Sequence, residues 1–322
     1  MLKDTPIETN QHAHIDMKIK SKVKRKNVLV KYWDLYLLLV PGVLFFIIFK
    51  YVPMWGIVIA FQDYSVFAGI QGSEWVGFKH FERMFQAEEF YRIFNNTLLI
   101  SLYKLFWGFP APIIVALMLN ELRNLMYKRT IQTIIYMPHF LSWVIVGGIM
   151  MNLLGPSTGV VNSFIQFLGF EPIYFIANDS WFRTVLVTSD LWKSVGWGTI
   201  LYLAALAGIN PQLYEAATVD GANKWQQTWH ITLPSLLPTI VILFILQMGN
   251  ILEVGFEQVF ILLNPLVYNV GDVFETYVYR VGVTQGQFSY TTAVGLFKSV
   301  VALILVVAAN KIAKKLGQNG LW

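Results

Sequence analysis

One polar segment organises this sequence: Glu215-Ala-Ala-Thr-Val-Asp-Gly-Ala-Asn-Lys-Trp-Gln-Gln-Thr-Trp-His-Ile-Thr-Leu-Pro-Ser-Leu-Leu-Pro238. It lies between two strongly apolar runs. Its alanines favour helix, and a carboxylate such as Glu215 is stabilised in a first helical turn by the helix dipole. Gly221 can adopt a positive φ and turn the chain, whereas Pro234 lacks a backbone donor and is expected to stop the second helix. The segment therefore predicts helix, turn and helix, an arrangement typical of a docking element.

The composition is that of a membrane protein. Of the 322 residues, 56% are hydrophobic and only 13% are charged, whereas soluble domains carry about 25% charged residues. The apolar runs are roughly 18 to 28 residues long, enough for a helix to cross a bilayer core of about 30 Å. No alternation with the period of a strand recurs, which argues against an outer-membrane barrel. We therefore predict an all-α, polytopic membrane protein.

Six apolar segments are predicted to span the membrane. They are approximately 35–61, 97–119, 131–154, 185–206, 236–263 and 292–309. Lysine and arginine concentrate in cytoplasmic loops, and fifteen of the 24 basic residues lie in the two termini and in loops 120–130 and 207–235. Both termini and the polar segment are therefore predicted to face the cytoplasm. Long loops on the opposite side could dock an extracytoplasmic partner.

Several kinds of chemistry are excluded by the sequence. It contains no cysteine, so disulfides, thiol catalysis and cysteine zinc sites are excluded. It has no G-x-x-x-x-G-K-[ST] phosphate loop, so no ATPase site of that type is expected. The net charge of +5 is accounted for by membrane topology, so no nucleic-acid partner is expected. No catalytic residue, metal site or cofactor is expected in this chain.

The polar segment resembles the EAA motif of permease subunits from binding-protein-dependent ABC importers. The matching positions are Glu215, Ala216, Ala217, Asp220, Gly221, Ala222, Ile231, Leu233 and Pro234. In that family the motif lies before the penultimate helix of a six-helix subunit, as it does here. The resemblance implies the type I importer permease (MetI-like) fold, in which this loop couples the membrane helices to a separate ATPase.

Two further stretches are similar to the LplB-like branch of carbohydrate permeases. They are residues 51–64 and 137–148, which include Pro53-Met-Trp-Gly56 and Met137-Pro-His139. Members of that branch import oligo- or polysaccharides, including pectic fragments and alginate. The length and the basic tail are also similar to the first permease subunit of an alginate importer. The resemblance implies carbohydrate import across the bacterial cytoplasmic (inner) membrane.

The same resemblance implies a set of partners. They are two ATPase subunits that bind ATP and magnesium, a second permease subunit that in this branch is usually a distinct chain, an extracytoplasmic solute-binding protein, the oligo- or polysaccharide cargo, and the lipid bilayer.

Four regions are expected in the chain itself. They are a basic tail (1–31), a first membrane helix with its outer loop (32–92), a five-helix core (93–315) that contains the coupling loop 208–236, and a C-terminal tail (316–322).

Polar residues inside predicted spans are candidates for a translocation path. At 100° per residue, Gln247, Asn250, Glu253 and Glu257 form a stripe about 120° wide, which could line a path or form a polar seam against another helix. Lysines 50, 104, 193 and 298 also fall within spans. Lys193 is a path candidate, although a local ion pair with Asp190 is the simpler interpretation. If the cargo were a uronate polymer, Lys193 and Lys298 would have a use along the path.

Other functions stay open at this point. An ABC permease for peptides, phosphate or another solute would share the coupling motif but lack the stretches at 53–56 and 137–139. An ion-driven secondary transporter could use Glu253 and Asp190 as proton sites, but it would need no ATPase, and the EAA-like segment would have no role. A membrane scaffold that transports nothing would leave the same segment unexplained.

Overall fold

A computed structural model describes residues 32–318 and 320–321. The basic tail 1–31, with its predicted cytoplasmic location, lies outside the described residues. The chain divides into two compact units, Met1–Gly56 and Ile57–Trp322. Within the described part, helices predominate, and one small antiparallel hairpin pairs β1 (Gln62–Asp63) with β2 (Glu74–Trp75). The predicted all-α, polytopic class is confirmed.

The first described helix changes its winding along its length. Helix α1 (Trp33–Phe46) continues as a π-helical turn at Ile47–Tyr51 and then as a 3₁₀ stretch at Val52–Phe61. Pro53 has no N–H to donate to the Phe49 carbonyl, and its ring would clash with that carbonyl in a regular α-helix. The helix departs from regular α geometry at this point: the π-helical turn ends at Tyr51, and Pro53 lies in the 3₁₀ stretch that follows.

The second unit holds the remaining helices. They are α2 (Gly69–Gly72), α3 (Lys79–Gln86), α4 (Glu88–Gly108), α5 (Pro110–Glu121), α6 (Leu125–Tyr136), α7 (Trp143–Leu153), α8 (Val160–Phe167), α9 (Asp179–Ala207), α10 (Pro211–Val219), α11 (Lys224–Gln227), α12 (Leu233–Gly249), α13 (Phe256–Leu262), α14 (Tyr268–Gly271), α15 (Phe274–Tyr277) and α16 (Phe288–Lys315). Helical turns of other types occur at Met137–Phe140, Phe175–Ala177, Thr228–Thr232, Pro265–Val267 and Val278–Thr284.

Four helical segments in the described part are long and apolar enough to cross a membrane. They are Trp33–Phe61, Glu88–Glu121, Lys224–Gly249 and Phe288–Lys315. A fifth candidate is the pair Leu125–Phe140 and Trp143–Leu153, which is bent by 102°. Helix α9, at the position of the predicted span 185–206, has 29 residues, which include Asp179, Arg183, Asp190 and Lys193, and is therefore more polar.

Two predicted spans are not single helices. The span 131–154 bends sharply, because Met137–Phe140 tightens into a 3₁₀ turn and Ser142 starts a new helix by accepting a hydrogen bond from the Ile145 N–H. The span 236–263 is interrupted, because α12 ends at Gly249 and α13 begins only at Phe256. Gly255, with φ of +104°, allows the chain to turn there. The prediction of one continuous helix over 236–263 is therefore wrong.

Helix α9 is at the centre of the packing in the second unit. Its first half buries Phe182, Val185 and Leu186 against a cluster that includes Val259 and Leu262 of α13. Its second half approaches the end of α6 so closely that a Cβ on Gly196 would overlap the Ile135 carbonyl oxygen. Glycine at this position therefore allows two backbones to come into contact.

Gly196→Ala should destabilise the protein, because the backbone of α6 must move to admit a methyl group. We expect the free energy of unfolding to fall by about 1–3 kcal/mol, the usual cost of overpacking, measured by denaturation of the purified chain in detergent micelles. The matched control is Gly295→Ala, since nothing lies within 4 Å of a Cβ built there. Equal stability of the two variants would contradict the close backbone contact.

Candidate coupling segment and translocation cavity

The polar segment folds as two short helices joined by a tight turn. Helix α10 begins after Asn210, whose side chain accepts a hydrogen bond from the Gln212 N–H at 3.0 Å. The turn follows at Gly221, which has φ of +81° as predicted from its lack of a side chain. The N–H of Ala222 then donates to the Ala217 carbonyl at 2.8 Å and closes the end of α10.

Buried polar contacts brace this helix pair from within. Gln227 is buried, and its Nε2 donates to Thr218 Oγ1 at 3.0 Å and to the Ala222 carbonyl at 3.1 Å. The hydroxyls of Tyr214 and Thr232 lie 3.0 Å apart and join the two helices again. The four bracing side chains, those of Tyr214, Thr218, Gln227 and Thr232, lie outside the EAA-like positions, so sequence reasoning missed them.

A reciprocal cap fixes the start of the second helix. Asn223 accepts a hydrogen bond from the Gln226 N–H, and the Gln226 side chain accepts one from the Asn223 N–H. The spacing of these two residues is that of a capping box, so the sequence did contain a signal for it. Bracing and capping together make the segment one preformed unit.

The EAA-like positions form the outer surface of this unit. Glu215, Ala216, Asp220 and Gly221 are exposed, and Ala217, Ala222 and Ile231 are half-buried. A concavity of about 310 Å³ is lined by Ala217, Asp220, Gly221, Ala222 and Ile231, together with Gln226, Gln227 and His230. The structure therefore brings five of the nine motif positions around one shallow pocket, and Glu215 and Ala216 are exposed on the same helix α10.

Leu233 and Pro234 have a different place in the structure. They are the first two residues of α12, and the helical segment runs without interruption from Lys224 to Gly249. The prediction that Pro234 stops the second helix is therefore wrong. The turn Thr228–Thr232 is π-helical, and proline is tolerated in the first turn of the helix that follows.

A cavity of about 530 Å³ lies between α4, α9 and the broken fifth span. Its lining residues include Ser101, Lys104, Asp190, Ser194, Trp197, Gln247, Asn250, Glu253 and Val254. Three of the four predicted stripe residues therefore meet at one cavity. Glu257 is not among its lining residues, because the interruption at 250–255 ends the helical periodicity on which the stripe was based.

The predicted role of Lys193 does not agree with its position. Its Nζ donates to the His139 carbonyl at 2.7 Å and lies 5.5 Å from the centre of the Trp143 ring. Asp190 instead pairs with Lys104, with Nζ and Oδ1 3.5 Å apart. The predicted local pair of Asp190 and Lys193 is therefore wrong, because each side chain contacts a different neighbouring element.

Lys298 is also held away from the cavity. Its Nζ lies 2.6 Å from Glu275 Oε1, so its charge is already balanced by a neighbour. Lys104, by contrast, lines the cavity and was not selected from the sequence as a site residue. Its location within a span was the available signal, since charges in such segments face the protein interior or a water-filled space.

An ion-pair cluster anchors the loop that follows α13. Arg280 donates to Asp272 Oδ2 at 2.6 Å and lies 3.1 Å from Glu89 Oε1. Burial on its own would lower the pKa of Arg280, but the hydrogen bond and the charge of the buried Asp272 outweigh it, so the pKa is raised. The guanidinium therefore stays charged and ties this loop to the start of α4.

Comparison with known proteins connects this geometry to a family. The model of the family described as binding-protein-dependent transport system inner membrane component matches residues 108–318. The chain is 51% identical to the polygalacturonan/rhamnogalacturonan transport system permease protein YteP of Bacillus subtilis (strain 168) over 315 residues, which cover 97% of this chain and 98% of that protein. It is 53% identical to LplB of the same organism over 288 residues, which cover 89% and 91% of the two chains.

Solved structures give the same result for the fold. A chain in a crystal structure of a bacterial alginate ABC transporter, in complex with an alginate pentasaccharide-bound periplasmic protein, superposes with a TM-score of 0.84. Its sequence is 43% identical, and the match covers 92% of this chain and 99% of that one. The chain thus belongs to the family of inner membrane components of binding-protein-dependent transport systems and is a multi-pass permease subunit of the inner membrane.

Proposed function

We propose that this permease moves an oligo- or polysaccharide through the membrane while a separate ATPase supplies the energy. The observation that carries the proposal is the braced helix pair, which exposes Glu215, Ala216 and Asp220 beside a shallow pocket. A preformed, exposed surface of this kind is suited to contact a partner. Relatives named for polygalacturonan/rhamnogalacturonan and for alginate support a saccharide as the cargo.

The route from the coupling segment to the cavity is one helical segment. Residues Lys224–Gly249 begin in the coupling segment and end beside the cavity, which Gln247 lines. Displacement of the exposed turn by an ATPase would therefore move the cavity wall directly. ATP and magnesium bind the two ATPase subunits in this proposal, and no cofactor is assigned to the permease itself.

The cavity is suited to bind hydroxyl groups. Gln247 and Asn250 offer amide donors and acceptors, and Glu253 offers carboxylate acceptors. Trp197 also lines the cavity, and its ring is stacked on His139 with the ring centres 4.3 Å apart. An indole held in this way gives a rigid apolar surface beside polar groups, a combination typical of small-ligand sites.

The charged residues that line the cavity indicate which groups of a sugar the cavity would contact. The charged lining residues are Lys104, Asp190 and Glu253, and Lys104 and Asp190 form an ion pair. Lys193 and Lys298, the cations proposed above for a uronate, are occupied elsewhere. This wall therefore contacts sugar hydroxyls, and the carboxylates of an acidic cargo would be met by water or by the second permease.

The remaining parts of the assembly follow from the family. We place a second, distinct permease opposite the cavity and a solute-binding protein against the loops on the far side from the coupling segment. The excess of lysine and arginine at 1–31, 120–130, 207–235 and the C-terminus favours a cytoplasmic location for both termini. The four regions 1–31, 32–92, 93–315 and 316–322 remain our proposal for the organisation of the chain.

Ala216→Arg should separate the permease from its ATPase. Arginine is a good helix former, so α10 should persist while the bulky side chain prevents close approach of a partner. We expect transport to fall by at least about thirtyfold, the loss that corresponds to a central interface residue, and the ATPase to be absent from pull-downs of the full complex. Ala216→Ser is the matched control and should behave as wild type. A pull-down of Ala216→Arg that retains the ATPase would contradict the coupling role, and import that needs no ATPase would favour the ion-driven alternative.

Substitutions of cavity-lining residues should lower sugar uptake, whereas substitution of a nearby residue outside the cavity should not. Glu253→Leu and Asn250→Leu remove groups that can bind sugar hydroxyls, so each should lower the uptake of radiolabelled oligogalacturonides by at least about tenfold. The matched control is Glu257→Leu, which removes an exposed carboxylate outside the cavity. If Glu257→Leu impaired uptake as much as Glu253→Leu, the cavity would not be the path.

A further inference from the structure

The interruption of the fifth span needs support from other parts of the protein. Residues 250–255 are not helical, and Val254 is buried with 3% exposure. Inside a membrane, non-helical backbone persists only where protein buries it or where it lines a water-filled cavity, because lipid cannot satisfy its polar groups. Residues 250–255 also carry Asn250 and Glu253, two of the cavity-lining side chains. Whatever holds this segment therefore also places those two side chains.

One ammonium group on a neighbouring helix supplies that support. Lys104 Nζ donates to the Val254 carbonyl at 2.7 Å and to Gln258 Oε1 at 2.6 Å, and it lies 3.5 Å from Asp190 Oδ1. The Lys104 side chain is only 12% exposed. A lysine ammonium has three donors, and three acceptors surround this one. Two of its donors therefore make hydrogen bonds within the protein, and its charge is balanced by the nearby Asp190 carboxylate.

The contacts of Lys104 extend to a second helix through Gln258. Gln258 is 1% exposed, and its Nε2 donates to the Leu186 carbonyl at 2.7 Å and to Ser189 Oγ at 2.8 Å. Lys104 on α4, Asp190 on α9, Val254 in the interruption and Gln258 on α13 therefore meet at one point. A buried charge is tolerated there because it is paired and hydrogen-bonded.

We propose that Lys104 is a positioning residue that holds the segment 250–255 in the shape that presents Asn250 and Glu253 to the cargo. This inference rests on the proposed translocation path through the cavity. Lys104 acts through the Val254 carbonyl and through Gln258, and its charge is balanced by Asp190. Its effect on transport is therefore indirect, and it is the same for neutral and acidic sugars.

The variants that test this role separate charge balance from hydrogen bonding. Lys104→Met alone leaves the Asp190 carboxylate without its partner, so it could reduce the amount of folded protein. The double variant Lys104→Met with Asp190→Asn removes both charges and keeps similar side-chain volumes, while the Val254 carbonyl still loses its donor. Lys104→Arg retains the charge and several donors and serves as the conservative variant.

The chain contains no cysteine, so a cysteine introduced into this segment is the single thiol of the permease chain, and its labelling is read on that chain after the subunits are separated. We would measure the rate at which a membrane-impermeant methanethiosulfonate labels Glu253→Cys in the full transporter. In the double variant we expect that rate to change by at least about tenfold, the factor that corresponds to one lost hydrogen bond to a charged group. With Lys104→Arg in place of the double variant, Glu253→Cys should be labelled at close to the rate measured with Lys104 unchanged. The matched reporter is Gln247→Cys. Gln247 lines the same cavity from the regular helix α12, so the labelling rate of a cysteine at this position should not change in the double variant.

Each outcome decides one point. An unchanged labelling rate at Glu253→Cys in the double variant would overturn the positioning role, and so would equal changes at both reporters, which indicate general loosening of the protein. Uptake of oligogalacturonides by the double variant without a reporter should show a KM raised by at least about tenfold, with a smaller change in the maximal rate. A changed labelling rate with unchanged uptake would leave the positioning role intact and would instead refute the proposed path.

Discussion

Backbone polar groups inside a bilayer must find partners within the protein, and this constraint determines how the irregular parts of the chain are held. Two predicted spans are interrupted, one at 137–142 and one at 250–255. At each interruption a lysine from a neighbouring helix donates to a backbone carbonyl: Lys193 to His139 and Lys104 to Val254. Two of the four lysines within predicted spans, Lys104 and Lys193, thus serve as internal donors where the chain changes direction sharply.

Both interruptions place side chains at the cavity. The bend near His139 brings Trp197 into a stack with the His139 ring at the edge of the cavity. The interruption after Gly249 turns Asn250 and Glu253 toward the same space. A continuous helix would satisfy its own backbone, but it could not present a short, rigid segment of polar side chains in this way. The irregular backbone is thereby linked to the polar lining of the cavity.

The predicted coupling segment follows a different design, because most of its residues are exposed. Its backbone ends are closed by its own side chains, namely Asn210, Asn223 and the buried Gln227. Among the described residues, Glu215 and Asp220 are exposed and have no side-chain hydrogen bond or ion pair, so their carboxylates are available for contact with another subunit. The uninterrupted segment Lys224–Gly249 then carries any displacement of this surface to the cavity. The predicted coupling segment and the cavity are thus joined by one continuous helical segment.

The sequence by itself determined the membrane class, the approximate positions of the spans, and the helix, turn and helix of the predicted coupling segment. These features depend on local composition, on the spacing of the EAA-like positions and on residues such as Gly221, whose φ of +81° matches its predicted turn. Only the tertiary structure decided where the spans break, that Glu257 lies outside the cavity, and that Asp190 pairs with Lys104 and not with Lys193. The reason is physical: a helical repeat assumes an unbroken helix, and Lys104 reaches Val254, far along the chain, only after folding.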